Sequence, residues 1–464
     1  MPVQLAPTAQ LLVEGGDERI LPDPRTGRNA YGCSVLPEPA LLSFGSSTAS
    51  TLSVGGYAAA DALRARLQQS LAHQPLDMLY RQETARIGEE LRHLLQLEPS
   101  LALHLAASGT DVHRLAARHV VAQGDALTPL CVIGVDTTET GRRVPEALAS
   151  VATRQVTIAL RAADGQPRTA AEIDADFAEA VTQARHAGQR VLLILTDVSK
   201  SGLIAPSPAC ALRLAQQHSR VPDAFHVLVD ACQLRLAAAT LRAYLAQGWM
   251  VALTGSKFMA GPMFSAALLL PQRRSECMLT CNEPAAVNLG LLLRWEAALV
   301  EMRAFCALND ARVSALLDAL ADCVRQRLAN TPRLQALPTS PLERTGLPLA
   351  QARPALWDTR QTIFPFLLRH ADGRCLNRAQ TEAVYRHLQA SPATPRCQLG
   401  QPVACGECEG QPLSALRLCA SAAWVVEAAQ NDAALQAALA KVGQALERVI
   451  ATIDEVIRGT DGTG

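Results

Sequence analysis

The chain has 464 residues, which is long enough for one large domain with a core and a smaller second domain. Lys plus Arg and Asp plus Glu both total 43, and the resulting formal net charge of zero argues against nucleic acid or an anionic membrane as the main partner. The first twenty residues lack the pattern of a secretory signal, no apolar run approaches the roughly 20 residues of a spanning helix, and the 13 cysteines are scattered through apolar segments. We therefore expect a reducing, cytoplasmic setting.

The chain begins with an irregular segment and two helices. Residues 1–44 are rich in Pro and Gly and have weak periodicity, which predicts an N-terminal arm that wraps a partner or rims a site. From Tyr57 to Leu97 the apolar residues recur at helical spacing, with a break near Pro75. This pattern predicts two helices.

Short apolar runs alternate with helical patterns through the middle of the chain. The runs are residues 100–106, 130–135, 154–160, 190–195, 224–229, 250–253 and 264–270. Continuous apolar strands separated by helices are typical of a mostly parallel sheet that is covered on both faces. We therefore predict an α/β large domain over residues 45–295.

The last third of the chain predicts a bridging helix and a smaller α+β domain over residues 296–464. A largely helical pattern runs from about residue 286 to about residue 329. The smaller domain is predicted to contain a strand at 362–368, a helix at 378–390, a loop at 391–412, a strand at 415–419 and a helix at 432–457.

A carboxylic acid and an amine stand at the ends of two neighbouring strands of the predicted sheet. Asp230 ends the run at 224–229, and Lys257 follows the run at 250–253. A lysine alone in such a loop is usually solvated, and an aspartate alone at the end of a strand is usually a helix cap. Together, at the sheet edge where open α/β folds bind ligands, they fit pyridoxal 5'-phosphate (PLP). That cofactor needs an amine for its Schiff base and an acid that keeps its pyridine nitrogen protonated.

A phosphate-binding turn is predicted at Ser108, Gly109 and Thr110. These residues follow the run at 100–106 and precede a helix that starts near Asp111. Backbone N–H groups at a helix start, together with hydroxyl groups, bind an anion well. The sequence therefore predicts that Lys257 carries PLP and that this turn holds the phosphate.

These motifs, in this order, resemble those of the fold-type I PLP enzymes, and within them the class V aminotransferase group that includes the cysteine desulfurases. The resemblance spans residues 44–270, with a weaker match near Arg417. It implies a fold-type I PLP transferase with a mostly parallel central sheet in the large domain and a smaller α+β C-terminal domain. It also implies a homodimer that acts on a small amino acid.

The resemblance also implies roles for cofactor-binding side chains. Asp230 would pair with the pyridine nitrogen, and Gln233 would hydrogen-bond the ring oxygen. Ser199 stands where the family usually places a polar residue beneath the cofactor's oxygen. Thr254 and Ser256 stand where family members contact the phosphate.

Two departures from the family pattern and a set of substrate-binding candidates complete this comparison. Thr140 stands where the family commonly stacks a His on the ring, and Ser256 precedes the lysine where desulfurases often have a His. Arg417 resembles the arginine that clamps a substrate carboxylate, a task that suits a planar guanidinium. Asn29 and Tyr31 of the arm are candidates for contacts with the substrate.

The reaction is left with three alternatives. The first is an aminotransferase-type reaction at the α-carbon of a carboxylate-bearing amino acid. The second is a desulfurase or carbon–sulfur lyase reaction, for which a loop cysteine among Cys397, Cys405 and Cys408 would be the nucleophile. The third is a catalytically inactive scaffold with the same fold. A zinc site at these cysteines is weakly indicated, because no second C-x-x-C or His pair accompanies them, and we predict no metal.

Overall fold

The computed structural model describes residues 4–124, 128–221, 223–271, 287–349, 356–391 and 395–461. The arm contains a short helix, α1 (Thr8–Leu11), and ends in strand β1 (Leu42–Phe44). The two predicted helices follow as α2 (Val54–Ser70) and α3 (Leu76–Leu94). Pro75 is the N-cap residue of α3, which is a position where its missing N–H costs no helical hydrogen bond.

An eight-stranded sheet forms the larger layer of the molecule. Its strands are β2 (Ala102–Ala106), β3 (Leu130–Val135), β4 (Arg154–Ile158), β5 (Arg190–Asp197), β6 (Ile204–Ala205), β7 (Phe225–Ala231), β8 (Met250–Thr254) and β9 (Ala266–Leu270). The order is β2-β9-β8-β7-β5-β3-β4, with β6 paired to β5. Neighbours from β4 through β8 are parallel, whereas β9 is antiparallel to both β8 and β2. The seven predicted strands and their mostly parallel arrangement are thus confirmed.

Apolar side chains are buried on both faces of this sheet. The helices associated with its strands are α4 (Gly109–Gln123), α5 (Val144–Ala149), α6 (Ala170–His186), α7 (Pro208–His218) and α8 (Ala238–Ala246). Along β5, Leu193 belongs to the core on one face, and Leu192 and Ile194 belong to the core on the other. Successive side chains of a strand point to opposite faces, so a strand with two covered faces is apolar throughout.

The second layer is a five-stranded sheet with its helices. Its elements are α9 (Leu289–Cys306), α10 (Asp310–Ala329), β10 (Leu334–Ala336), β11 (Ile363–Leu368), α11 (Arg378–Ala390), β12 (Cys397–Cys408), β13 (Gln411–Cys419), α12 (Ala422–Ala428) and α13 (Asp432–Asp461). The strand order is β1-β12-β13-β11-β10. Strand β1 pairs in parallel with β12, so the end of the arm is part of the C-terminal sheet. No helix in the described parts of the chain is long and apolar enough to cross a membrane.

The predicted loop at 391–412 is wrong, because most of it forms strand β12. This strand pairs antiparallel with β13 through a two-residue turn, Glu409 and Gly410, whose φ angles are 51° and 72°. The register shifts twice along the pair, between Gly400 and Val403 and again before Glu407. Such bulges accommodate the Gly and Pro residues that made this segment read as a loop.

Candidate active site

A cavity of about 410 Å³ opens at the carboxyl ends of β5, β7 and β8 and at the start of α4. It brings together the predicted residues Tyr31, Ser108, Gly109, Thr110, Thr140, Asp230, Gln233, Thr254, Ser256, Lys257 and Arg417. Most of these residues converge because parallel strands end at one edge of the large sheet, whereas Tyr31 comes from the arm and Arg417 from β13 of the second sheet.

Two predicted site residues lie outside the cavity lining. The hydroxyl of Ser199 donates to Glu139 Oε2 at 2.7 Å and accepts from the N–H of Leu203 at 3.1 Å. Asn29 donates from Nδ2 to Met263 Sδ at 3.1 Å, and its Oδ1 accepts two backbone N–H groups of the arm. Both side chains are thus engaged in holding local structure.

One end of the cavity is built to hold an anion. Ser108 caps helix α4, and its Oγ accepts from the N–H of Asp111 at 3.2 Å. A Cβ at Gly109 would lie 3.0 Å from Cys232 Sγ, closer than nearly all real Cβ contacts, and 3.7 Å from Thr254 Cγ2, so a larger residue would require the Cys232 side chain to shift. The hydroxyl of Ser256 lies 3.3 Å from that of Thr254, beside the helix start. N–H groups at a helix start together with hydroxyls suit a phosphate.

The Asp230 carboxylate is buried, with 7% of the residue exposed, and is held from several directions. Oδ1 accepts from the N–H of Cys232 at 3.1 Å, and Oδ2 accepts from Thr140 Oγ1 at 3.3 Å. His113 Nε2 lies 3.3 Å from Oδ2. Burial by itself raises the pKa of Asp230, but the charges of His113 and Lys257 and these hydrogen bonds outweigh it, and the pKa lies well below its usual range. The group is therefore a carboxylate at neutral pH.

His113 is a site residue that the sequence reasoning missed. Its Nδ1 lies 2.7 Å from the carbonyl oxygen of Gly109, which can only accept, so Nδ1 carries a proton. Burial lowers the pKa of His113, but the charge of Asp230 and the hydrogen bonds to Asp230 and the Gly109 carbonyl raise it by more, so the pKa lies above its usual value. His113 thus donates to Gly109 and faces Asp230, and it links the anion-binding end to the carboxylate. The available signal was a His four residues after the turn glycine, which places both on one face of α4.

Thr196 is a second missed residue. It stands opposite Asp230 in the register of β5 and β7 and lines the cavity. Its buried hydroxyl oxygen has no hydrogen-bond partner within the described residues. Because buried polar groups are nearly always paired, this hydroxyl is an orphan that a bound ligand would satisfy.

Arg417, on β13, brings a positive charge into the cavity. The residue is 2% exposed, and burial lowers its pKa. Its guanidinium donates to the carbonyl oxygens of Gln401 at 2.7 and 3.0 Å and of Lys200 at 3.0 Å, and to Thr48 Oγ1 at 2.9 Å. No carboxylate in the described part of the chain pairs with it. A fixed, buried guanidinium without a counter-ion suits a substrate carboxylate.

The cysteines predicted in a loop lie on β12, and none of the three lines the cavity. Cys397 and Cys405 are buried, and burial raises the pKa of their thiols to about 12 and about 11. Cys408 is exposed on the hairpin. The structure therefore does not bring these thiols to Lys257.

Comparison with known proteins identifies the fold. No family model matches the chain, and no curated protein matches it by sequence. The Oryza sativa TDC structure with PLP superposes with a TM-score of 0.55 at 13% identity over 92% of this chain and 84% of that one. Sphingomonas wittichii serine palmitoyltransferase gives a TM-score of 0.54 at 12% identity over 89% and 88%.

A third similar structure is the complex of the cystine C–S lyase C-DES with cysteine persulfide. It gives a TM-score of 0.52 at 14% identity over 86% of this chain and 96% of that one. Similarity at such low identity shows the fold alone. The predicted fold class is thereby confirmed, and the chain has the fold of the fold-type I PLP-dependent enzymes.

Proposed function

We propose that this protein is a PLP-dependent enzyme that acts at the α-carbon of a carboxylate-bearing amino acid, with the cofactor attached to Lys257. The observation that carries the proposal is that one cavity contains the lysine amine, a buried carboxylate and a helix start with several hydroxyl groups. These are the three groups that PLP needs. The PLP in the structurally similar Oryza sativa TDC supports the same assignment.

The residues of the cavity fit this cofactor. The phosphate would lie against the Ser108–Thr110 turn and the hydroxyls of Thr254 and Ser256. Asp230 would pair with the pyridine nitrogen, because its low pKa keeps it negatively charged. The hydroxyl of Thr196, which has no partner within the described residues, would face the rest of the ring, as would Gln233, whose Nε2 donates one hydrogen bond to the Ser47 carbonyl oxygen at 3.1 Å.

PLP, when bound, withdraws electrons from the bonds at the substrate's α-carbon. The side chains around it would determine which of these bonds breaks. Asp230 would keep a proton on the pyridine nitrogen, and Arg417 would fix the substrate carboxylate and hence the orientation of the α-carbon. Lys257 would hold the cofactor, and its free amine Nζ would move the proton of the α-carbon.

The first candidate reaction is of the aminotransferase type, as in the class V group. A desulfurase needs a thiolate in the cavity. Among the described cysteines, only Cys232 lines the cavity, and burial together with Asp230 raises the pKa of its thiol well above the usual range. The second candidate is carbon–sulfur cleavage that uses no cysteine nucleophile of this chain, and its support is the fold shared with the cystine C–S lyase C-DES. An inactive scaffold is disfavoured because Asp230, Lys257 and the phosphate-binding turn are all present.

The test begins with the cofactor. Purified protein is expected to be yellow, and borohydride reduction is expected to fix the mass of the cofactor on the Lys257 peptide. A colourless protein that takes up no PLP would refute the proposal. Conversion of the cofactor to its amine form by an amino acid, and its reversal by a keto acid, would support the aminotransferase reaction, and sulfide release from cysteine or cystine would support the second candidate.

We further propose a cytoplasmic homodimer. The support is the resemblance to dimeric enzymes, while the N-terminal arm brings Tyr31 and Arg19 to the cavity of its own chain. Light scattering after size exclusion should give about twice the chain mass of 49.4 kDa. A fully active monomer would contradict this.

A further inference from the structure

We propose that the substrate is an acidic amino acid whose second negatively charged group binds Lys200 and Arg142, beside the carboxylate clamp at Arg417. The inference rests on the proposed function and adds the substrate class. It starts from the charge of the cavity. Basic side chains outnumber acidic ones in its lining: Arg19, Arg142, Arg143, Lys200, Lys257 and Arg417 face only Glu139 and Asp230.

Two of these cations are already neutralised. Arg19 Nη2 lies 2.5 Å from Asp17 Oδ2. Arg143 Nη1 lies 3.2 Å from the same carboxylate and 2.8 Å from Glu18 Oε1. Neither side chain therefore needs an anion from a ligand.

Both acids in the lining are also occupied. Asp230 is held by His113, as described above. Glu139 accepts from Ser199 Oγ at 2.7 Å and from Ser201 Oγ at 2.5 Å, and it lies 3.4 Å from Arg161 Nε. Glu139 thus faces its own cluster of donors, and it forms no ion pair with the Lys200 ammonium.

Lys200 and Arg142 have no counter-ion among the residues that the structure describes. Lys200 Nζ donates to the carbonyl oxygen of Thr137 at 2.9 Å, and no carboxylate pairs with it within the described residues. Burial, then Arg417, Lys257 and Arg142, lower the pKa of Lys200, Glu139 partly offsets them, and the pKa falls to about 7. Arg142 lines the same cavity with an exposed side chain, and no ion pair of Arg142 is found within the described segments. Cations crowded together in this way repel each other, and an anion bound among them relieves the repulsion.

The backbone of Lys200 places it beside the predicted carboxylate clamp. Its backbone carbonyl accepts from Arg417 Nη1 at 3.0 Å, so Lys200 is held next to the predicted carboxylate clamp. The anion-binding turn at Ser108 and Gly109 is built by α4 and the end of β8. A substrate that binds Arg417 through its α-carboxylate would thus carry its second acidic group to Lys200 and Arg142.

Lysine is rare in this sequence, so the modification of Lys200 can be measured separately from that of the other lysines. The chain contains only three lysines, Lys200, Lys257 and Lys441, and the first two line the same cavity. Lys441 is bound to Glu427 on the surface of the C-terminal helices and serves as a matched control.

The first test is calorimetric titration of the PLP-loaded protein with carboxylates that lack an amine. Succinate and glutarate are expected to bind at least about tenfold more tightly than butyrate and valerate, because a second charge-assisted contact forms. Lys200→Met and Arg142→Gln should each reduce or abolish this preference and leave monocarboxylate binding within about twofold. Lys441→Met should behave as the wild type.

A second readout uses mass spectrometry with an amine-acylating reagent at neutral pH. Glutarate should protect Lys200 from the reagent and leave Lys441 unprotected, whereas valerate should protect neither. This measurement, like the wild-type titration, needs no variant and therefore decides the question even if a substitution prevents folding.

The failures of the two proposals are distinguishable. A colourless protein would overturn the proposed function and this inference with it. A yellow protein with cofactor on Lys257 that binds mono- and dicarboxylates equally would overturn only the inference. A Lys200→Met variant that loses PLP affinity but retains the dicarboxylate preference would also overturn it, because Lys200 would then serve the cofactor.

Discussion

Replacing His113 with Gln is the sharpest test of how the carboxylate of the site is held. The substitution removes the imidazolium that lies 3.3 Å from Asp230 Oδ2 and 2.7 Å from the Gly109 carbonyl oxygen. Removing one partner of a buried ion pair costs about 3 to 5 kcal/mol. Thr140 and the N–H of Cys232 still hold Asp230, so we expect the lower end, about 3 kcal/mol.

In a chain of this size that loss corresponds to a fall in Tm of about 3 to 6 °C, which scanning calorimetry of the PLP-free protein measures.

The decrease in Tm caused by His113→Gln depends on pH. The pKa of His113 is raised in the folded state. The stability that it contributes is therefore fully present below its unfolded pKa of about 6.5 and is lost as the pH rises through the folded pKa. The Tm difference should be largest below pH 6.5 and should narrow in alkaline solution.

The matched control is His119→Gln, which changes another buried His of α4 that is not part of the Asp230 site. Its Nε2 lies 3.0 Å from Gln123 Nε2, and loss of a neutral contact costs about 1 kcal/mol. We therefore expect a smaller decrease in Tm. An unchanged Tm for His113→Gln, or a Tm difference from the wild type that is the same at pH 6 and pH 9, would refute the imidazolium at this position.

Three further predictions concern the cavity. Gly109→Ala should weaken PLP binding about tenfold in a fluorescence titration, because the new Cβ would lie 3.0 Å from Cys232 Sγ. Gly55→Ala is the control, because its Cβ would have no contact closer than 3.5 Å, and it should leave PLP binding unchanged. Equal PLP affinities of the two variants would contradict the close approach at Gly109. Arg417→Gln should retain the cofactor and weaken carboxylate binding tenfold or more by calorimetry, and unchanged binding would exclude the clamp. Changing each β12 cysteine to Ser should leave any sulfide release intact, and its loss in one variant would restore the desulfurase hypothesis.

Much of the fold was predictable because its signals are local. The apolar runs that become β3, β5 and β7 are continuous, since both faces of the sheet are covered, and their order along the chain specifies a mostly parallel sheet. The failure at 391–412 has an equally local cause. Gly and Pro residues there indicate a loop, and only pairing with β13, with two register shifts, makes the segment a strand.

The sequence by itself determined the residues that follow strand ends: the turn at Gly109, Asp230 and Lys257, which chain geometry brings to one edge of the sheet. Only the tertiary structure decided which neighbours face the cavity. Ser199 and Lys200 are adjacent, yet Ser199 turns to Glu139 and Lys200 lines the cavity. Side-chain direction depends on backbone angles and on partners distant in sequence. Local patterns therefore find the position of a site, and packing selects the side chains that form it.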